Sequence, residues 1–219
     1  MMEFIKIFNE NQPKFETTLP FSKENVLFNS FKVKDSKKLT IVLQEQNKKL
    51  ALIALYECIS LNTDNKNILN MCLADCEYLF LKIRSKSVDE FINVTANGIK
   101  TQINIDEIKF KNNLQKKTIS IGNNISITLT TPTIKKLISL SSFDDESYAK
   151  ACIESIIING QVYHTDKFIP KEFMEMVENL PLSVSKQINE FVLNEPKLYF
   201  TINTGTEESE VSGLLSFFI

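Results

Sequence analysis

The stretch Asp75–Val88, DCEYLFLKIRSKSV, has the spacing of an amphipathic helix that runs into a dense basic end. Cys76, Leu79, Phe80 and Ile83 recur at helical intervals and make one apolar face. Lys82, Arg84 and Lys86, with the hydroxyls of Ser85 and Ser87, crowd the last turn and the residues after it. Positive charge there suits the negative end of the helix dipole. The stretch carries no catalytic pattern, so it bears first on architecture.

Upstream, residues 1–12 read as a loosely attached arm. KFETTLP and NVLFNSFKV are short, rich in β-branched and aromatic residues and separated by FSKE, which reads as an N-terminal hairpin. Asp35 or Ser36 offers an N-cap for a helix over KKLTIVLQEQ. A second helix follows over KKLALIALYECISL. Its Leu50, Ile53, Ala54, Tyr56 and Ile59 cover much of the circumference and predict deep burial. NTDNKN is a polar connection to ILNMCLADCEYLFLKIRSKSV, which contains the opening stretch.

Downstream the pattern changes. EFINVTANGIKTQINIDEI alternates on both sides of Asn97-Gly98, a pair that tolerates positive φ at both turn positions and is the strongest hairpin signal in the chain. KTISIGNNISITLTTP alternates again, and together these segments predict one antiparallel sheet of three or four strands. Pro132 marks a helix start in TPTIKKLISL, with Thr131 as its cap. DDESYAKACIESIIING reads as a helix with an acidic start that ends at Gly160, and QVYHTDKFI as a short extended piece. Pro170 and Pro181 open two further helices, and KLYFTINTGTEES reads as a strand leading into a turn. The expected fold is α+β, with helical segments flanking a small antiparallel sheet and an N-terminal β-hairpin. The expected organisation is the arm over 1–12 and a single α+β domain over 13–219. Its sub-parts are 13–88 (hairpin and helices), 89–131 (small sheet) and 132–219 (helical, with a C-terminal hairpin or tail).

Bulk composition narrows the function classes. The chain has 219 residues, 43% of them hydrophobic and 24% charged, with a net charge of -2. A core can be buried, and neither a nucleic-acid groove nor an acidic tail is indicated. No apolar run approaches the roughly 18 residues of a membrane span, so stable membrane insertion is not expected. MMEFIKIFNENQPKF lacks the pattern of a signal peptide, which predicts a protein that stays in the cytosol where it is made. Cys58, Cys72, Cys76 and Cys152 sit in apolar segments without a Cys-x-x-Cys, which predicts reduced, structural thiols and no metal.

Catalytic patterns are weak. His164 is the one histidine; Tyr163, Thr165 and Asp166 beside it could orient its ring, but no Gly-x-Ser-x-Gly elbow accompanies it. Asp89-Glu90, Asp144-Asp145 and Glu207-Glu208 are adjacent on the chain and read as helix-terminal acids rather than a cleft pair. Five glycines are too scattered for a phosphate loop. No catalytic, cofactor or metal residues are assigned. The features that ask for a partner are apolar: Leu214, Leu215, Phe217, Phe218 and Ile219 in LLSFFI, and Phe4, Ile5, Ile7 and Phe8 in the arm. Each segment either folds back on the core or docks into a partner. The basic end KIRSKS reads as a solvated helix end or protein-binding patch, or as an internal contact to Glu77 or Asp89.

The order of these motifs resembles the baseplate hub proteins of T-even-like contractile-tailed phages, also described as baseplate hub assembly proteins. PKFETTLPFSKENVLFNSFKVKDSKKL, DCEYLFLKIRSKSVDE, ITLTTPTIKKL, FMEMVENLPLSVSKQINEFVLNEPKL and VSGLLSFF carry the resemblance and cover most of the chain. The most specific part is Glu77, Tyr78, Leu79 and Phe80 followed by Arg84, Lys86 and Ser87. Phe31, Val33 and Lys34 match a further feature after the hairpin. The chain departs from the family pattern at Asn29-Ser30, where relatives have Arg-Pro, and at Asp89, where they have Gly. Some relatives carry zinc-knuckle cysteines where this chain has Asn203, Thr204, Gly205 and Thr206, so no metal is expected at that turn. The resemblance implies a non-enzymatic phage tail protein made in the host bacterial cytoplasm. Its partners would be other baseplate hub or tail proteins, the tape-measure protein among the candidates, with self-association left open. The implied role is a chaperone-like hub assembly factor or, alternatively, a permanent structural subunit present in the virion. The contacts expected for either role are Phe4, Phe8, Arg84, Lys86, Leu214, Leu215, Phe217 and Phe218.

Overall fold

The computed structural model describes residues 11–33, 37, 47–96, 99–203 and 208–213. The expected arm, the Asn97-Gly98 pair, the 204–206 turn and, apart from Lys37, the helix expected over KKLTIVLQEQ lie outside them. The described chain is α+β, with six α-helices, small sheets of antiparallel pairs and an N-terminal hairpin. The chain divides into two compact units, Met1–Phe110 with Lys197–Ile219, and Lys111–Pro196.

Unit 1 begins with the expected hairpin, β1 (Phe15–Thr18) against β2 (Asn25–Phe28), in which Phe15 faces Phe28. Helix α1 (Lys48–Asn62) is capped by Asn47, whose side chain accepts from the Lys49 and Leu50 amides. It buries Ala51, Leu52, Leu55, Cys58 and Ile59, while Leu50 is exposed. Helix α2 (Leu73–Ser85) follows. Strands β3 (Phe91–Ala96) and β4 (Ile99–Asn104) pair with Ala96 facing Ile99, the register of a two-residue connection. Strand β10 (Lys197–Asn203) pairs with β11 (Glu208–Ser212) and lies beside β5 (Lys109–Lys111) in a three-stranded sheet. Alternation along β10 buries Leu198, Phe200 and Ile202, which join Ile92, Val94 and Ile103 in one core.

Unit 2 holds a four-stranded sheet in the order β6 (Lys116–Ser120), β7 (Ile125–Thr130), β8 (Ile153–Ile158) and β9 (Gln161–His164). Helices α3 (Ile134–Ser139), α4 (Asp145–Cys152), α5 (Pro170–Glu178) and α6 (Leu182–Leu193) complete it. Val184, Ile188 and Phe191 of α6 meet Ile119, Ile127 and Ile156 of the sheet in a second core.

Three expectations are corrected. The segments around Asn97-Gly98 and Gly122 do not share a sheet. The first pairs only within itself, and the second recruits β8 and β9. DDESYAKACIESIIING is helical only to Cys152. The β-branched run Ile153, Ile156, Ile157 and Ile158 then pairs with β7. Asn159 (φ 51°) and Gly160 (φ 79°) form the turn into β9, both in the left-handed region a two-residue I′ hairpin requires. Finally, the cap of α3 is Thr133, which accepts from the Lys136 amide. Thr131 is still occupied by the strand ladder, its amide donating to the Gln115 carbonyl at 3.0 Å. Pro170 opens α5 at its first position as expected.

Phe200 and Phe191 are fully buried, one in each core. Truncating either to alanine removes apolar burial and leaves a cavity, so each should cost about 3–5 kcal/mol in urea unfolding. Asp144 caps α4, accepting from the Ser147 amide at 2.7 Å. Its bonds to the Ser142 hydroxyl and the Ser147 amide hold its carboxyl at about 2, below the ordinary 3.8. The stabilisation is therefore complete above the ordinary value and is lost as pH falls through about 2. Asp144→Ala should lower the melting temperature at neutral pH and by progressively less towards pH 2, read by circular dichroism.

Candidate functional site

Helix α2 and the residues after it hold the segment with the most specific resemblance. Cys72 takes the N-cap position, so the helix begins one residue later than a shared Cys72–Cys76 face would need. Asp75 sits in the first turn, and Lys82 and Arg84 in the last, as the dipole favours. The expected face holds: Cys76, Leu79, Phe80 and Ile83 are buried, and the Phe80 ring lies 5.1 Å from Phe31. A second face was missed. Ala74, Tyr78 and Leu81, at spacings of four and three, pack into the unit 1 core with Ile92, Val94 and Phe200. The helix is therefore apolar on two sides, and its polar side chains must find partners within the fold.

They do. Asp75 is 1% exposed, and its two carboxylate oxygens accept from the backbone amides of Phe21 and Ser22, at 3.0 and 2.9 Å. Those amides belong to the loop between β1 and β2, so one carboxylate fixes the hairpin to the helix. At the other end, the Ser87 hydroxyl accepts from the Phe31 amide at 2.7 Å and donates to the Ile83 carbonyl at 2.5 Å.

The basic end is spent in the same way. Lys82 pairs with Asp106 at 2.5 Å, and this hydrogen bond and charge pull the Asp106 carboxyl below its ordinary value. Arg84 Nη1 donates to the carbonyls of Phe91 at 3.0 Å and Asp89 at 3.3 Å. Burial pushes its guanidinium down, opposed by the charge of Asp89. Lys86, just past the helix, pairs with Glu90 four residues on, at 3.0 Å, with both side chains substantially exposed. Of the partners expected for an internal contact, Asp89 serves Arg84; Asp106, Glu90 and the Phe91 carbonyl are additional. The other expected contact residues, Phe4, Phe8, Leu214, Leu215, Phe217 and Phe218, lie outside the described residues. The described chain stops just past β11, at Gly213 with φ +89°.

Potential chemistry elsewhere is sparse. His164 is exposed at the end of β9, and the Thr165 hydroxyl beside it bonds the Ile153 and Glu154 carbonyls instead of orienting the ring. In unit 2, Glu195 is buried and accepts from the Tyr148 hydroxyl at 2.8 Å, while Cys152 Sγ lies 3.4 Å from its other oxygen. Burial and the neighbouring Glu195 push the Cys152 thiol up, which makes it a poor nucleophile. In unit 1, burial and Asp75 push the Cys72 thiol up to about 12, and burial raises Cys76. Among the described residues no group of three or more His, Cys, Asp or Glu side chains is placed to hold a metal ion. A pocket of about 260 Å³ beside α4 in unit 2 has an apolar floor that includes Ile153, Leu180 and Ile188 and a polar rim that includes Asp145, Glu146 and Lys150. No helix of the described residues is long and apolar enough to cross a membrane.

Comparison with known proteins settles the class. Residues 12–219 match the family described as T4 bacteriophage base plate protein, and the chain belongs to that family. No curated protein and no solved structure matches it. Membership makes it a phage base plate protein, and implies association with the base plate and with other base plate proteins.

The division of labour along α2 is measurable. Asp75→Ala removes a buried carboxylate that accepts from two backbone amides and should cost about 2–3 kcal/mol, as expected for bonds to a charged group. Lys86→Ala removes an exposed pair and should cost less than about 1 kcal/mol. Equal losses in chemical denaturation would mean that the hairpin does not depend on Asp75.

Proposed function

We propose that this protein is a base plate hub assembly factor, a chaperone-like partner that binds other hub or tail proteins during morphogenesis and works without catalysis. The observation that carries this reading is how the family-like residues are used. Glu77, Leu79 and Phe80 are buried, Tyr78 packs on the core, and Arg84 and Ser87 bond backbone groups. Residues that hold a shape, rather than face a substrate, fit a protein that acts through its surface. The sequence-level resemblance to hub assembly proteins supports the finer role, as do the apolar segments at 4–8 and 214–219. Binding an aggregation-prone partner in its assembly-competent form would favour that form by mass action. The host cytoplasm is the compartment in which this would happen, and the tape-measure protein is one candidate partner.

The test is quantitative mass spectrometry of purified virions against infected-cell lysate. An assembly factor is abundant in lysate and far below stoichiometric in particles. A fixed stoichiometric copy number in virions would replace this reading with a permanent structural subunit. Deleting residues 214–219 should weaken capture of the partner while leaving the circular dichroism spectrum unchanged. Unchanged capture would remove that segment from the interface.

A further inference from the structure

Strand β9 is an open edge without the usual protection. The outer strands of the larger sheets among the described residues carry charge: Lys116 and Lys117 on β6, Lys109 and Lys111 on β5, Glu208 and Glu210 on β11. Such charges discourage pairing with another chain. β9 reads Gln161-Val162-Tyr163-His164, with no Lys, Arg, Asp or Glu, no proline and every residue exposed. Val162 is 50% exposed and Tyr163 39%.

Register decides what the edge offers. The two-residue turn at Asn159-Gly160 makes Ile158 and Gln161 a hydrogen-bonded pair, and Ile156 and Tyr163 the next one. Val162 therefore turns its N–H and C=O outward, and His164 its N–H. On the helix-covered face, Ile119 stands opposite Ile127, Ile127 opposite Ile156, and Ile156 opposite Tyr163. This apolar row crosses all four strands and stops, half-exposed, at Tyr163.

We propose that a second copy of this chain adds its own β9 antiparallel to this edge, about a twofold axis at Tyr163. The His164 N–H of each copy then reaches the Val162 carbonyl of the other. The two Tyr163 side chains meet on the same face, so the apolar row continues without a break into the second sheet. An axis at Val162 would instead set Tyr163 opposite Gln161 and end the row. The axis at Tyr163 is the symmetric solution that satisfies both the edge hydrogen bonds and the side-chain row.

Sedimentation velocity of the full chain over a wide concentration range should give a dimer. Val162→Pro removes a donor that β8 does not use, so it should give a folded monomer by circular dichroism. In the dimer, residue 163 faces itself in a non-hydrogen-bonded pair, where Cα atoms about 4.5 Å apart lie within disulfide reach. Tyr163→Cys should therefore form a disulfide-linked dimer under mild oxidation. Val162→Cys, diagonal to its copy, and the exposed Leu182→Cys should not. Cys58, Cys76 and Cys152 are buried, and a Cys72→Ser background removes the half-buried fourth thiol. A wild-type protein that stays monomeric overturns the proposal, including one that instead takes up a strand from another base plate protein. So does a dimer that survives Val162→Pro, or crosslinking at Tyr163→Cys no greater than at the two control positions.

Discussion

A carboxylate buried in the middle of a fold must be given donors, and that requirement organises unit 1. Asp75 sits on a helix that is apolar on two faces, so water cannot solvate it. The Phe21 and Ser22 amides take that role, and they come from the loop of a hairpin more than fifty residues earlier in the chain. The hairpin thereby acquires a fixed place. Ser87 does the same for Phe31 at the far end of the helix, and Arg84 for the entry to β3. Helix α2 is thus a spine whose polar groups, spaced along its length, attach one peripheral element each.

Unit 2 rests on a different economy. Its sheet is held by a row of isoleucines in register across β6, β7 and β8, with α6 laid against it. Among the described residues the buried carboxylate here is Glu195, just beyond α6, held by Tyr148 of α4. A carboxylate again ties two elements that the apolar core alone would leave free to slide. The same sheet is protected by lysines on one edge and left unprotected on the other, an asymmetry that side-chain packing does not require.

Much of the fold could be read from local pattern. The N-terminal hairpin, α1, α2, the strands on either side of Asn97-Gly98, and the proline-opened α5 all announce themselves through spacing and punctuation. The misread end of α4 has a local cause. IESIIING continues the apolar density of the helix before it, and only its β-branched content and the Asn159-Gly160 pair mark it as a strand and turn. That pair carries the same signal as Asn97-Gly98, but its glycine also fits the end of a helix. The candidate site was legible as a motif and not as a role. KIRSKS is a basic run on paper, yet nothing in its spacing reveals that Asp106, Glu90 and two carbonyls await it.

The sequence by itself determined the α+β class, most element positions, and the likeness to a phage base plate family, because these depend on local periodicity and on residues close together in the chain. Tertiary structure alone decided which strands share a sheet, which carboxylates are buried, and which groups of unit 1 meet Lys82 and Arg84. Those outcomes depend on pairings between distant segments. A strand's hydrogen-bonding edge is the same in every candidate sheet, and only the complementary faces of the folded units select among them.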